Sequence, residues 1–175
     1  MGNHDYGDYS EWDSQESKKE NFEAIKQFYK KIGFTLLLNE AKVISKNNGT
    51  ITIVGVENWG KPPFKQYGNL KKALEHVKAI SFKILLSHDP AHWMEQVTDK
   101  TDIDLTLSGH THGMQVAFQY KNLKWSPIKY KYKHWAGLYN YNEQYLYVNR
   151  GLGWLGFPGR IGIRPEITHI ELHKK

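Results

Sequence analysis

Two short apolar runs in this chain each end in a histidine-bearing turn. Phe82-Lys83-Ile84-Leu85-Leu86 passes directly into Ser87-His88-Asp89-Pro90, and the run from Ile103 to Leu107 passes into Ser108-Gly109-His110-Thr111-His112-Gly113. Runs of this length bounded by polar turns read as buried strands. Open α/β sheets collect their ligand-binding groups at such strand ends, so the pattern predicts a sheet with imidazoles along one edge. A third turn, Gly2-Asn3-His4-Asp5, has the same make-up. His110 and His112 lie two apart, and in an extended segment both rings project to one side. Two imidazoles on one side suit a divalent transition metal, and the flanking glycines let backbone approach closely.

The rest of the chain predicts a mixed α/β class. Apolar residues at helical spacing (Phe22, Ile25, Phe28, Tyr29, Ile32) predict a helix over Ser17 to Ile32, stopped by Gly33. Strands are expected at Phe34–Leu38, Lys42–Ser45 and Thr50–Val56, with Asn47-Asn48-Gly49 as a hairpin turn. A short helix is expected over Leu70–Ile80 and another around His92–Val97. Further strands are expected near Gln115–Phe118, Tyr145–Asn149 and Glu166–Leu172. Helices alternate with strands early and strands follow one another late.

Composition narrows the function classes. The 175 residues carry 24 Lys and Arg against 18 Asp and Glu, a net charge of +6, which suits an anionic substrate or surface. An apolar content of 39%, with 14% aromatic, is too high for a disordered chain. The lack of cysteine excludes disulfides, thiolate metal sites and cysteine nucleophiles. No apolar run approaches the roughly 18 residues of a membrane span.

A lone His-x-His is a weak signal, but three such motifs in this order are not. Together, Gly2-Asn3-His4-Asp5-Tyr6-Gly7, the post-strand His88, and Gly109-His110-Thr111-His112-Gly113-Met114-Gln115 resemble the later motifs of the calcineurin-like metallophosphoesterases. Asn149-Arg150-Gly151-Leu152-Gly153 and Arg164-Pro165-Glu166-Ile167 are similar to its bacterial branch of membrane-associated, lipid- or cell-wall-directed phosphodiesterases. The resemblance implies part of a four-layer αββα sandwich, two mixed sheets flanked by helices. It also implies phosphoester hydrolysis by a hydroxide activated between two divalent ions (Mn, Zn, Fe or Ni).

Carried over residue by residue, the resemblance makes Asn3, His88 and His110 ligands of one metal and His112 a ligand of the other. His4 would serve the leaving oxygen as a proton or hydrogen-bond donor, a task suited to imidazole. Asp5 and Asp89 would orient the ligand rings. Arg150, Arg160 and Arg164 are candidates for gripping the substrate phosphate. The family's Asp-x-His and Gly-Asp motifs, which supply the first metal's other ligands and the bridging carboxylate, have no counterpart before Gly2. Gly7-Asp8 falls after the motif it should precede.

Residues 1–175 are therefore expected to be a single domain forming the C-terminal portion of a metallophosphoesterase. It would hold one metal or none, be inactive or mononuclear, and lack the N-terminal strands of its sandwich. Expected partners are a phosphoester substrate, lipid-linked in this branch, and a second copy pairing through an exposed sheet edge; nucleic acid is not expected. The location is expected to be cytoplasmic, or membrane-associated through a missing N-terminal segment. One rival stays open. Lys124 to Trp135 interleaves basic and aromatic residues, which suits a non-catalytic module for nucleic acid or an anionic membrane surface.

Overall fold

The computed structural model describes residues 1–47, 49–62, 64–77, 82–121 and 123–173. In chain order the strands are β1 (Glu40–Lys46), β2 (Gly49–Gly55), β3 (Phe82–Leu86), β4 (Leu105–Ser108), β5 (Phe118–Tyr120), β6 (Leu123–Trp125), β7 (Gly137–Tyr141) and β8 (Gln144–Val148). The helices are α1 (Gln15–Lys31) and α2 (Leu70–Leu74). Six strands form one mixed sheet in the order β1-β2-β3-β4-β8-β7, and β5 and β6 form a separate antiparallel ribbon. The fold is thus mixed α/β with few helices, as expected for part of a metallophosphoesterase. The second sheet among the described residues is a two-stranded ribbon.

Parallel pairing of β2, β3, β4 and β8 matters most for the site, because it sends all four carboxyl ends to one edge. Antiparallel β1 and β7 close the two sides. Val54, Leu85, Thr106 and Leu146 stand abreast in this register and are fully buried. Trp93, Val97, Ile103 and Leu70 join them in the main core. β-Branched and aliphatic residues at these positions fill a pleated surface and remove apolar area from water.

Helix α1 begins and ends on local chemistry. Ser14 and Ser17 cap each other reciprocally, each hydroxyl accepting from the other's backbone N–H at 3.1 Å. At the far end Gly33 takes a left-handed φ of 85°, and Phe34 N–H bonds to the Tyr29 carbonyl at 2.9 Å in a Schellman closure. The helix buries none of its residues, and Phe28 is 57% exposed.

Several expectations need correction. Phe34–Leu38 forms no strand and pairs with none among the described residues. Glu166–Leu172 is likewise not a strand, since Glu166 N–H goes to the Gly151 carbonyl rather than into a ladder. The segment near Gln115–Phe118 starts its strand only at Phe118, because Gln115 is left-handed. Helix α2 stops at Leu74, and residues 78–80 of that expectation lie outside the described residues, as does Asn48 of the hairpin turn. Around His92 the helix is a π-helical turn, Trp93–Val97, closed by Thr98 N–H to the Trp93 carbonyl. β6 and β7 are additions that the sequence pattern did not announce.

Leu85 tests the central row. Its replacement by Ala is expected to lower unfolding free energy by about 2–5 kcal/mol in urea titration, whereas Phe28→Ala on the open helix face should cost well under about 1 kcal/mol.

Candidate functional site

The sheet's backbone ladder continues past the strands and aligns the turns that follow them. Ser87 N–H bonds to the Leu107 carbonyl, Gly109 N–H to the His88 carbonyl, and Asn149 N–H to the Ser108 carbonyl. His88 and His110 are thereby set side by side. Ser87 is fixed in turn by a 2.8 Å contact between its hydroxyl and Nδ1 of His92, a buried ring that stacks on Trp59.

The Gly2–Asp5 turn reaches this edge because the residues after it are anchored. Tyr6 is buried, stacks on Tyr67 at 3.9 Å, accepts from Asn58 N–H and donates to Glu57. Trp12 donates its indole N–H to the Gly7 carbonyl. Asp8 accepts from Lys18, Lys65 and Tyr67. Gly2 sits flat against His88, where a Cβ would meet the ring at 2.9 Å.

Three side-chain atoms then converge. Asn3 Oδ1 lies 3.0 Å from His88 Nε2 and 3.2 Å from His110 Nδ1, and the two ring nitrogens are 3.1 Å apart. Asn3 uses its amide N–H on the Tyr9 hydroxyl at 3.1 Å, so its carbonyl oxygen faces the rings. On the other side of the second imidazole, His110 Nε2 and the Tyr132 hydroxyl are 2.8 Å apart. Burial first, then the neighbouring His110, pulls the His88 pKa down to about 3. Burial and Lys131 pull His110 down to about 4. Both rings are neutral at ordinary pH.

This donor set fits a divalent ion. Ligands around a tetrahedral zinc at about 2.0–2.1 Å stand about 3.3 Å apart, close to the triangle seen here. Neutral imidazole and amide oxygen are suitable donors. Among the described residues no group of three or more His, Cys, Asp or Glu could hold a metal, so the third donor of this trio is an amide.

The remaining sequence candidates are distributed around the trio. His112 lines the same cavity, and its Nδ1 is buried without a hydrogen-bond partner among the described residues. His4 is exposed on the rim, beside Tyr9. Asp5 accepts from Gly2 N–H and Asp89 from Ala91 N–H, so these carboxylates cap turns. Arg150 is paired with Glu166, which also accepts from Tyr147 and Thr168. Arg160 donates to the carbonyls of His112, Arg150, Gly151 and Gly153. Both guanidinium groups face protein partners, and Arg160 braces the loop that carries His112.

That loop is strained. His110, His112, Met114 and Gln115 all have positive φ, between 50° and 64°, a conformation costly for residues with a side chain. It is held by Thr111 donating to the Trp135 carbonyl, Ser126 to the Gly113 carbonyl, and Gln115 to Phe157 and Gly159. The trio opens into a cavity of about 1280 Å³. Its walls include Leu37, Val56, Ile128, Leu155 and Phe157, with Lys131 and buried polar atoms of Asn58 and Ser108 that have no hydrogen-bond partner among the described residues. Tyr9, Tyr132 and Asn58 were missed in the sequence. They are single polar residues outside any motif, and only folding brings them to the histidines.

The mixed sheet gathers two neutral histidines and an asparagine at its carboxyl edge, a donor set suited to a divalent ion. Comparison narrows this: the calcineurin-like phosphoesterase family model matches residues 1–114, and the chain belongs to that family. It is 32% identical to the phosphodiesterase YaeI of Escherichia coli over 152 residues, covering 85% of this chain and 51% of the relative. It is 29% identical to the uncharacterized metallophosphoesterase YkoQ of Bacillus subtilis, covering 98% of this chain and 58% of the relative. A 36% match over 106 residues links it to a bovine transmembrane protein with a metallophosphoesterase domain, covering 59% of this chain and 22% of that protein. The chain spans about half the length of the first curated relatives it matches. No solved structure matches it. A non-catalytic basic–aromatic module is accordingly not the favoured reading. No helix among the described residues is long and apolar enough to cross a membrane.

The Asp8 anchor makes a pH prediction. Burial alone would raise this carboxyl, but hydrogen bonds from Lys18, Tyr67 and Lys65 outweigh it and hold the pKa at about 2, below the ordinary 3.8. A depressed carboxylate contributes stability above its unfolded pKa and loses it as pH falls through the folded value. Asp8→Asn should therefore be less stable than the wild type by on the order of 1–2 kcal/mol at pH 7, Lys65 being screened by solvent. Urea titrations at descending pH should show that gap closing between about pH 4 and pH 2.

Proposed function

We propose that this chain carries the metal-binding heart of a phosphoester hydrolase in which Asn3, His88 and His110 hold one divalent ion. The observation that carries the reading is the triangle of Asn3 Oδ1, His88 Nε2 and His110 Nδ1, with sides of 3.0 to 3.2 Å. A divalent ion bound there supplies a water of lowered pKa and draws charge from the phosphoryl oxygens.

The chain's own residues prepare that chemistry. Burial keeps His88 and His110 unprotonated, so their lone pairs are free to bind. In the tautomer that metal binding requires, His110 would donate Nε2–H to the Tyr132 hydroxyl 2.8 Å away, which puts its lone pair on Nδ1 toward the other two donors. Tyr9 holds the Asn3 amide the right way round. His112 is the donor this chain would lend to a second ion in the whole protein, supported by its buried Nδ1, which has no hydrogen-bond partner among the described residues. His4, exposed at the rim, donates a hydrogen bond or proton to the departing oxygen. Lys131 adds positive potential where the anionic substrate enters. The substrate class is a phosphodiester or phosphomonoester, and the apolar walls of the cavity favour one bearing an apolar group. The trio is neutral and supplies no bridging carboxylate, so we assign a single ion to this chain's own donors and leave the two-ion reaction to the whole protein.

Hydrolysis of bis(p-nitrophenyl) phosphate with added manganese tests the reading. Turnover is expected to vanish on chelation and in His110→Ala. Turnover that survives either treatment would sink the assignment. Independently of turnover, equilibrium dialysis of manganese or zinc should show Tyr132→Phe binding about 10–100-fold more weakly, through the lost support of the His110 ring.

A further inference from the structure

From Leu105 to Asn142 the chain contains no acidic residue, while Lys121, Lys124, Lys129, Lys131 and Lys133 crowd its centre. The β5–β6 ribbon lies within this stretch. Its register pairs Phe118 with Trp125, Gln119 with Lys124, and Tyr120 with Leu123. Directly paired residues share a face, so one face carries Phe118, Tyr120, Leu123 and Trp125, and the other carries Gln119 and Lys124. A ribbon on a water-exposed surface ordinarily turns its apolar face inward. Here the faces are mixed: Gln119 is exposed, and of the four apolar-face residues only Trp125 is half-buried. Lys124 packs against the body, its ammonium donating to the Ala136 carbonyl at 2.6 Å and lying 4.8 Å above the Trp135 ring. On the opposite face Phe118, Tyr120 and Leu123 are 61%, 72% and 71% exposed.

Neighbouring segments extend this surface. Tyr130, in the turn after β6, is 79% exposed, with Lys129 beside its ring. Ile161 bridges to Val116 at the root of the ribbon, which brings the loop containing exposed Leu152 and Trp154 alongside. Leu155 and Phe157 of that loop also line the cavity of the candidate site. Exposed aromatic and aliphatic side chains of the ribbon and loop thus stand with Lys121 and Lys129 beside their rings, and the same loop reaches the cleft.

We propose that this ribbon and the adjoining loop seat the protein on an anionic lipid bilayer. This goes beyond the hydrolase reading and does not depend on it. Aromatic and aliphatic side chains at the ribbon face enter the boundary between headgroups and acyl chains, where amphipathic rings are favoured. Lysines around them face the phosphates of anionic lipids, and the acid-free sequence removes opposing charge. Leu123 and Leu152, both exposed, are aliphatic and have no ring on which a base could stack, which favours acyl chains over single-stranded nucleic acid. Seated this way, the cleft opens at headgroup depth.

Sedimentation of the 175-residue chain with sucrose-loaded vesicles tests the proposal. Vesicles of mixed phosphatidylglycerol and phosphatidylcholine are expected to bind it, and raised salt should weaken the binding by about tenfold or more. Phosphatidylcholine alone should bind it far more weakly. Tyr120→Ser with Leu123→Ser should reduce partitioning by about tenfold or more, and Lys129→Glu with Lys133→Glu should remove the preference for anionic vesicles. All four residues are exposed, so circular dichroism and urea midpoints should stay unchanged. Failure of the folded wild type to bind anionic vesicles overturns the proposal, as does unchanged binding by the serine variant. Tighter binding to an oligodeoxythymidylate than to vesicles overturns it too, as does a dimer that the serine changes dissociate while vesicles bind neither form.

Discussion

Parallel pairing of β2, β3, β4 and β8 is the constraint on which the rest depends. Strands that run the same way end on the same edge, and the turns that leave them must lie side by side. The register is held by the buried row Val54, Leu85, Thr106 and Leu146, because a one-residue slip of any strand would turn its apolar residues to the wrong face. Backbone bonds beyond the strands carry the same register into the loops and bring His88 beside His110. The separation of the two imidazoles is thus set by the sheet, tens of atoms away from either ring.

Burial gives that edge its chemistry. Imidazoles in water near pH 6.5 are half charged and repel one another, but His88 and His110 are removed from water and kept neutral. Two facing ring nitrogens 3.1 Å apart repel unless a proton or a cation lies between them. The backbone bears a related cost, since four residues between His110 and Gln115 are left-handed. Side-chain bonds from Thr111, Ser126 and Gln115 to neighbouring carbonyls keep that conformation in place. The anchors of the opening turn do the same for Asn3, with Tyr6 stacked between Phe22 and Tyr67.

Much of this was legible in the sequence where a single local signal sufficed. The apolar run at Phe82–Leu86 is a strand over those same residues, and the spacing of Phe22, Ile25 and Tyr29 marks α1 to within two residues. Legibility failed where a strand needs a partner to exist. Phe34–Leu38 and Glu166–Leu172 have strand-like composition but find no ladder among the described residues, so neither forms a strand. Lys124–Trp135 reads as alternating basic and aromatic residues, yet it divides into β6, a 3-10 turn and a connecting segment. Two of the three arginines that looked ready for phosphate, Arg150 and Arg160, are engaged with a carboxylate and with backbone carbonyls, partners that no local pattern announces.

The sequence alone determined the family and the chemical character of the site, because motif order and residue type are local properties: Asn3, His88, His110 and His112 are recognisable before any fold is known. Tertiary structure alone decided which of them meet. It joined Asn3, His88 and His110 into one triangle, gave Tyr9 and Tyr132 the task of orienting two of its corners, and turned Arg160 toward the loop it braces. It also decided that Phe118, Tyr120 and Leu123 of the β5–β6 ribbon are exposed, since strand alternation fixes which residues share a face but not which face is covered. Distances between residues remote in sequence are set by packing, and packing is a property of the whole chain.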